Sequence, residues 1–160
     1  MEIYILRHAE AEDQEVGRLD HDRKLTLKGR RDTRAVAKAA LRAREMPQII
    51  FTSPLRRAQE TAAIAAGVLG CLRVKETIAL LPDALPEQIW KELCGQPGVE
   101  VAMVVGHEPH LGLLTQYLLE AHMRVRVRKA AMIKILAGGR HGNPRGQLEW
   151  MLVPRLLRRG

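Results

Sequence analysis

The chain has 160 residues, of which 46% are hydrophobic and 3% aromatic, and it carries a net charge of +8 and two cysteines. That length supports a single domain over 1–160 with a proper core of Leu, Val, Ile and Ala, and leaves no room for a second core of similar size. Cys71 and Cys94 lack C-x-x-C spacing, no apolar stretch reaches the roughly 18 residues of a spanning helix, and residue 1 onward lacks a signal-peptide pattern, so a cytoplasmic protein with no membrane contact is expected.

Residues 2–7 form an apolar run of the kind found in strands buried on both faces. Residues 9–25 are polar and aperiodic, including Arg18, Asp20, His21, Asp22 and Arg23, and predict a long loop. Thr26 is placed to cap a helix reaching about Arg44, with Val36, Ala39, Ala40 and Ala43 on one face and Gly29 permitting close packing. Gln48–Phe51 gives a second strand after Pro47. Ser53-Pro54 predicts a helix start with Ser53 as cap, the helix running to Gly67 or Gly70.

Leu72–Val74 reads as a short third strand, and Asp83, between Pro82 and Pro86, lies near the start of a helix ending at 95–98. Val101–Val105 is the strongest strand signal. Pro109 then opens a helix carrying Leu111, Leu114, Leu118 and His122. Met132–Leu136 and Leu148–Val153 flank a Gly-, Asn- and Pro-rich turn over 138–146 and predict a hairpin. This order predicts an α/β fold: a three-layer α/β/α sandwich with a mostly parallel central sheet and a C-terminal edge hairpin.

Arg7-His8 closes the first run and His107 closes the run 101–106. If the two runs are neighbouring parallel strands, their carboxyl ends open into one crevice, where open α/β sheets bind ligands. Neutral imidazole is a nucleophile toward phosphorus, and a phosphoryl-histidine intermediate divides one hard displacement into two easier ones. His8 can take that part if a backbone carbonyl holds its other ring nitrogen. Phosphoryl transfer otherwise asks for positioning and positive charge, which Arg7, Arg57 and His107 are placed to supply. Arg57 sits one turn into its helix, whereas Arg56 suits an exposed pairing with Glu60. Taken singly, each histidine also fits a structural hydrogen bond.

The set resembles the histidine phosphatase superfamily, on Leu6-Arg7-His8-Ala9, Thr52-Ser53-Pro54-Leu55-Arg56-Arg57-Ala58 and Val104-Val105-Gly106-His107-Glu108-Pro109. The S-P-x-x-R-A form, the short length and the missing lid insertion look most like the SixA branch of phosphohistidine phosphatases. The resemblance implies His8 as nucleophile, Arg7, Arg57 and His107 as the phosphate pocket, no metal or organic cofactor, and a phosphohistidine protein or small phosphorylated molecule as substrate. Many superfamily members, including the phosphoglycerate mutases, use a leaving-group acid after the third strand, for which only Glu76 and Asp83 stand nearby. Imidazole leaves more readily than an alkoxide and has less need of such an acid.

Three rival readings remain at this level. A broader phosphomonoesterase or mutase would use Asp83 or Glu76 as its acid. A non-catalytic module would bind polyanions through residues 123–160, which hold ten Lys and Arg (Arg124, Arg126, Arg128, Lys129, Lys134, Arg140, Arg145, Arg155, Arg158, Arg159) against Glu149 alone, although the same stretch equally reads as a solvated hairpin edge kept soluble by its charge. His107-Glu108-Pro109-His110 lacks the H-E-x-x-H spacing of a zincin, and Pro109 breaks its geometry, which leaves a three-histidine zinc site of His8, His107 and His110 as the remaining metal reading.

Overall fold

The computed structural model describes residues 1–14, 17, 19–138 and 142–157. Arg18, Arg140, Arg158 and Arg159, and residues 139–141 of the expected turn, therefore lie outside the described residues. Six strands form one sheet: β1 Glu2–Arg7, β2 Ile49–Thr52, β3 Val74–Glu76, β4 Val101–Gly106, β5 Met132–Leu136 and β6 Gln147–Leu152, in the spatial order β3-β2-β4-β1-β5-β6. The pairs β3/β2, β2/β4 and β4/β1 are parallel, whereas β5 runs antiparallel to both β1 and β6. The sheet is mostly parallel, and the C-terminal hairpin forms its edge.

Strand alternation sorts the core into two layers. Ile3, Ile5, Phe51, Ala102 and Val104 pack on one face with Ile89 and Leu93 of α3 (Pro86–Cys94) and Leu111, Leu114 and Leu118 of α4 (His110–Leu119). Tyr4, Leu6, Ile50, Met103 and Val105 face the other way, against Val36, Ala37 and Ala40 of α1 (Leu27–Arg42) and Ala58, Ala62, Ala65 and Leu69 of α2 (Arg56–Leu69). The alanine stripe on α2 lets that helix lie close to the sheet. Thr26 caps α1 by accepting from the Gly29 amide, and Gly70 ends α2 in the left-handed region at φ 70°.

Four boundaries differ from the sequence reading. The second helix begins at Arg56 after Leu55, not at Ser53-Pro54; the Ser53 hydroxyl is shared between the Leu55 amide and His107 and does not cap it. β3 lies two residues later than expected, since pairing of Ile50 with Val74 sets its register, and Leu72 is 98% exposed. α4 ends at Leu119, with Glu120 left-handed, so His122 is outside it. β6 spans Gln147–Leu152 rather than Leu148–Val153, its bulged pairing with β5 starting one residue earlier. Gly29 permits the close packing expected of it: a Cβ there would overlap the carbonyl oxygen of Glu10.

Candidate active site

β1 and β4 are laddered with Leu6 opposite Val105 and Arg7 opposite Gly106, so both strands stop at the same level. The His8 amide continues the ladder onto Gly106 O (3.0 Å), and the Ser53 amide does so onto Val105 O (3.0 Å). Three chain segments thus leave the carboxyl edge side by side, bearing His8, His107 and Ser53. The two imidazoles stand 5.0 Å apart between centroids, tilted by 48°.

The His8 ring is buried, and its Nδ1 lies 2.8 Å from the carbonyl oxygen of Ala9. A carbonyl only accepts, so Nδ1 carries the proton and Nε2 keeps its lone pair. The Ala9 backbone is fixed in turn: its amide donates to Thr61 Oγ1 (3.2 Å), and that hydroxyl donates to Arg57 O (2.7 Å). Burial, assisted by Arg57, Arg7 and Lys129, outweighs the Ala9 hydrogen bond and pulls the His8 pKa down to about 3. The ring is neutral across the physiological range.

His107 is wired through the opposite nitrogen. Its Nε2 is 2.8 Å from Ser53 Oγ, and that oxygen also accepts from the Leu55 amide (3.3 Å). Burial first, then the His8 ring, Arg57 and Arg7, lowers its pKa to about 2. Its Nδ1 is buried and has no hydrogen-bond partner in the protein. Ser53 Oγ already accepts the Leu55 amide; when its own proton goes to Nε2, the ring proton of His107 sits on Nδ1.

The two guanidinium groups are held differently. Arg57, 6% exposed, donates from Nη1 to Asp20 O (2.9 Å) and pairs through Nη2 with Asp20 Oδ2 (3.0 Å). Asp20 belongs to a short 3-10 turn, Asp20–Asp22, in the long polar loop, and Arg23 also grips it at 2.7 Å. Burial opposes ionisation of Asp20, but Arg23 and Arg57 hold its carboxyl below the ordinary range. Arg7 donates from Nη1 to Val127 O (2.9 Å), while its Nε is buried without a partner. Glu108 binds the Val127 amide and supports the Arg7 charge that burial weakens.

The structure therefore brings His8, His107, Arg7 and Arg57 within electrostatic range of one another at the sheet's carboxyl edge. Arg56 pairs with Glu60 (3.1 Å), as expected for an exposed helix arginine. Glu76 is exposed and accepts from the Gln59 amide (2.6 Å), and Asp83 is exposed in the turn before α3. Among the described residues no three of His, Cys, Asp and Glu converge to hold a metal ion, so the three-histidine zinc arrangement has no geometry here. His110 is fully buried and neither ring nitrogen has a hydrogen bond of normal geometry. Sequence reasoning missed Asp20 and Thr61, whose partners lie tens of residues away, and assigned Ser53 to a helix cap. Among the described residues no helix is long and apolar enough to cross a membrane.

A parallel α/β sheet with imidazoles and guanidinium groups at its carboxyl edge defines an anion-binding α/β protein. The model of the histidine phosphatase superfamily (branch 1) matches residues 3–81. An uncharacterised protein of Picosynechococcus sp. strain PCC 7002 is 32% identical over 142 residues, covering 86% of each chain. The chain belongs to the histidine phosphatase superfamily. Among solved structures it is similar to the protein histidine phosphatase SixA complexed with tungstate, at 22% identity and a TM-score of 0.90 over 99% of this chain and 100% of that one. It is also similar to a mycobacterial glucosyl-3-phosphoglycerate phosphatase, at 19% identity and a TM-score of 0.65 over 93% and 97% of the two chains. A phosphoserine phosphatase from Entamoeba histolytica matches at 17% identity and a TM-score of 0.65 over 94% and 95%. At these identities the structures establish the shared fold, while the family membership supports phosphatase activity.

Proposed function

We propose that the protein is a cytoplasmic phosphohistidine phosphatase of the SixA kind, acting as one domain over residues 1–160. His8 Nε2 attacks phosphorus in line, the bond from phosphorus to the substrate's imidazole nitrogen breaks, and a phospho-His8 intermediate forms. Water then attacks the same phosphorus, the Nε2–P bond breaks, and inorganic phosphate leaves. Arg7, Arg57 and His107 hold the equatorial oxygens through both steps.

One observation carries this reading: Arg7 Nε and His107 Nδ1 are both buried without partners beside a neutral, tautomer-fixed His8. Unpaired buried donors are costly, and an oxyanion with several lone pairs satisfies them together. The substrate preference is supported by the acids after the third strand. Glu76 is tied to Gln59, and Asp83 is exposed, so neither is held as a dedicated proton donor. Such a site favours a leaving group that departs readily over an alkoxide.

The test is His8→Ala, assayed with phosphoramidate and a phosphohistidine peptide alongside sugar phosphates. Turnover of the nitrogen-linked substrates falls to background in the folded variant, and rapid quenching of the parent chain traps an acid-labile phosphoryl group on His8. Hydrolysis of phosphate esters alone points to the phosphomonoesterase reading, and activity retained by the variant ends the proposal.

A further inference from the structure

The ten cations of residues 123–160 are not one surface. Lys134 is buried and consumed by Glu45 (2.8 Å) and Glu2 (3.1 Å). Arg126, Arg128 and Lys129 instead line a cavity of about 290 Å³ together with Arg7, the residue next to His8. Arg128 and Lys129 also line an adjoining cavity of about 270 Å³, shared with Lys28, Asp32, Val153, Pro154 and Arg155. A cationic track therefore runs from the mouth of the pocket over Arg126, Arg128 and Lys129 to Lys28 and Arg155.

The track is built rather than loose. Residues 125–129 have no regular secondary structure, yet Val127 is fully buried while Arg126 and Arg128 are exposed on either side of it. The Val127 amide is held by Glu108 and its carbonyl by Arg7, at 2.9 Å. Gly112 of α4 makes room for this segment, since a Cβ there would press on the Val125 carbonyl oxygen at 2.5 Å. Among the described residues Arg126, Arg128 and Lys129 have no ion pair, whereas Arg57 across the pocket has Asp20.

We propose that this track is the docking surface for the protein that carries the phosphoryl group, and that this protein presents carboxylates around its phosphorylated histidine. The proposal rests on the reading of His8 as nucleophile and names the substrate class for that site. Because the His8 ring is 5% exposed, the phosphoryl group must enter on a projecting side chain, leaving its surroundings against the rim. The rim is positive on the Arg7 side, which favours acidic surroundings and speeds their encounter. Acids interrupt the track, with Glu10 paired to Lys28 and Asp32 in the second cavity, and such mixed charge suits a protein surface better than a uniform polyphosphate. None of the five aromatic side chains is exposed, so the stacking platform that single-stranded nucleic acid uses is lacking.

The experiment compares two histidine-phosphorylated peptides of equal length, one with four glutamates around the histidine and one with four glutamines. It uses the full chain and its Arg126→Gln/Arg128→Gln variant. In the parent chain kcat/KM for the glutamate peptide exceeds that for the glutamine peptide by about tenfold at low ionic strength, and the ratio falls toward one in about 0.5 M salt. The variant lowers the ratio to near one, while phosphoramidate turnover changes by less than about threefold, as expected for rim charges. A parent ratio near one, or a variant that keeps the ratio, overturns the proposal. So does inorganic polyphosphate binding at these arginines when the unphosphorylated glutamate peptide does not bind. If the parent chain turns over neither phosphoramidate nor peptide, the nucleophile reading fails by itself; anisotropy with the unphosphorylated glutamate peptide, bound by the parent and lost in the variant, still decides the docking surface.

Discussion

The two guanidinium groups at the mouth of the pocket stand on walls of opposite character. Arg57 rises from the first turn of α2 and is neutralised in place by Asp20, itself gripped by Arg23. Arg7 is fixed by the Val127 carbonyl and lies beside Arg126, Arg128 and Lys129, which form no ion pair among the described residues, although Lys129 acts at longer range on Glu10. One wall is charge-balanced and preset, and the other carries an excess. The contrast suggests a division of labour, in which rigidity positions an anion on the α2 side while net charge gathers the rest of the substrate on the Arg7 side.

The strongest way to break this contrast is Arg57→Lys. A point charge cannot reproduce the planar fork that grips an oxyanion through two N–H groups, so kcat/KM for phosphoramidate falls by about a hundredfold, roughly 3 kcal/mol. Arg56→Lys, on the exposed side of the same turn, leaves it unchanged within about twofold, as exposed i,i+4 pairs contribute little.

Acid probes the two rings lying between the walls. His8 and His107 have folded pKa values of about 3 and 2, below the unfolded value of about 6.5, so unfolding takes up protons below that pH. Their contribution to stability is complete above about pH 6.5 and is lost as pH falls toward the folded values. Between about pH 6 and 4 the pair gives a slope approaching about 2.7 kcal/mol per pH unit, read from urea midpoints, and His8→Gln removes about half of it.

Ser53→Ala takes the hydroxyl from His107 Nε2 and frees the ring to turn or change tautomer. kcat falls by about tenfold with little change in KM, and stability drops by about 1–2 kcal/mol. The smallest effect sharpens the comparison most: Asp20→Asn removes the carboxylate that competes for Arg57, so vanadate or inorganic phosphate inhibits about fivefold more tightly. Equal inhibition of variant and parent would mean that Asp20 does not compete with a bound anion.

Much of the scaffold was legible in the sequence because buried strands announce themselves as apolar runs, and a histidine directly follows both β1 and β4. Thr26 marked a helix start by local chemistry alone, and Gly70, one of the two glycines offered for the end of α2, closes it. What misled was local chemistry diverted to a distant partner. Ser53 looked like a cap, but its oxygen also serves His107, 54 positions along the chain, and α2 starts only at Arg56. β3 is an exposed edge strand whose register comes from β2, and Leu72, the apolar residue that drew the expected boundary, is out in solvent. The ion pair of Asp20 with Arg57 joins an aperiodic loop to a helix, and neither segment alone predicts it.

The spacing of the imidazoles has a source outside the mouth. Their 5.0 Å separation nearly equals the roughly 4.8 Å between neighbouring strands, because His8 and His107 each follow directly on a laddered pair. The spacing of the chemical pair is inherited from the sheet's own lattice, while Ala9, Asp20 and Val127 hold His8, Arg57 and Arg7 in place. Grafting a foreign segment over residues 121–126, which leaves those three contacts in place, would therefore retune what the protein admits without moving the two rings apart, which makes the chain a ready chassis for exchanging substrates.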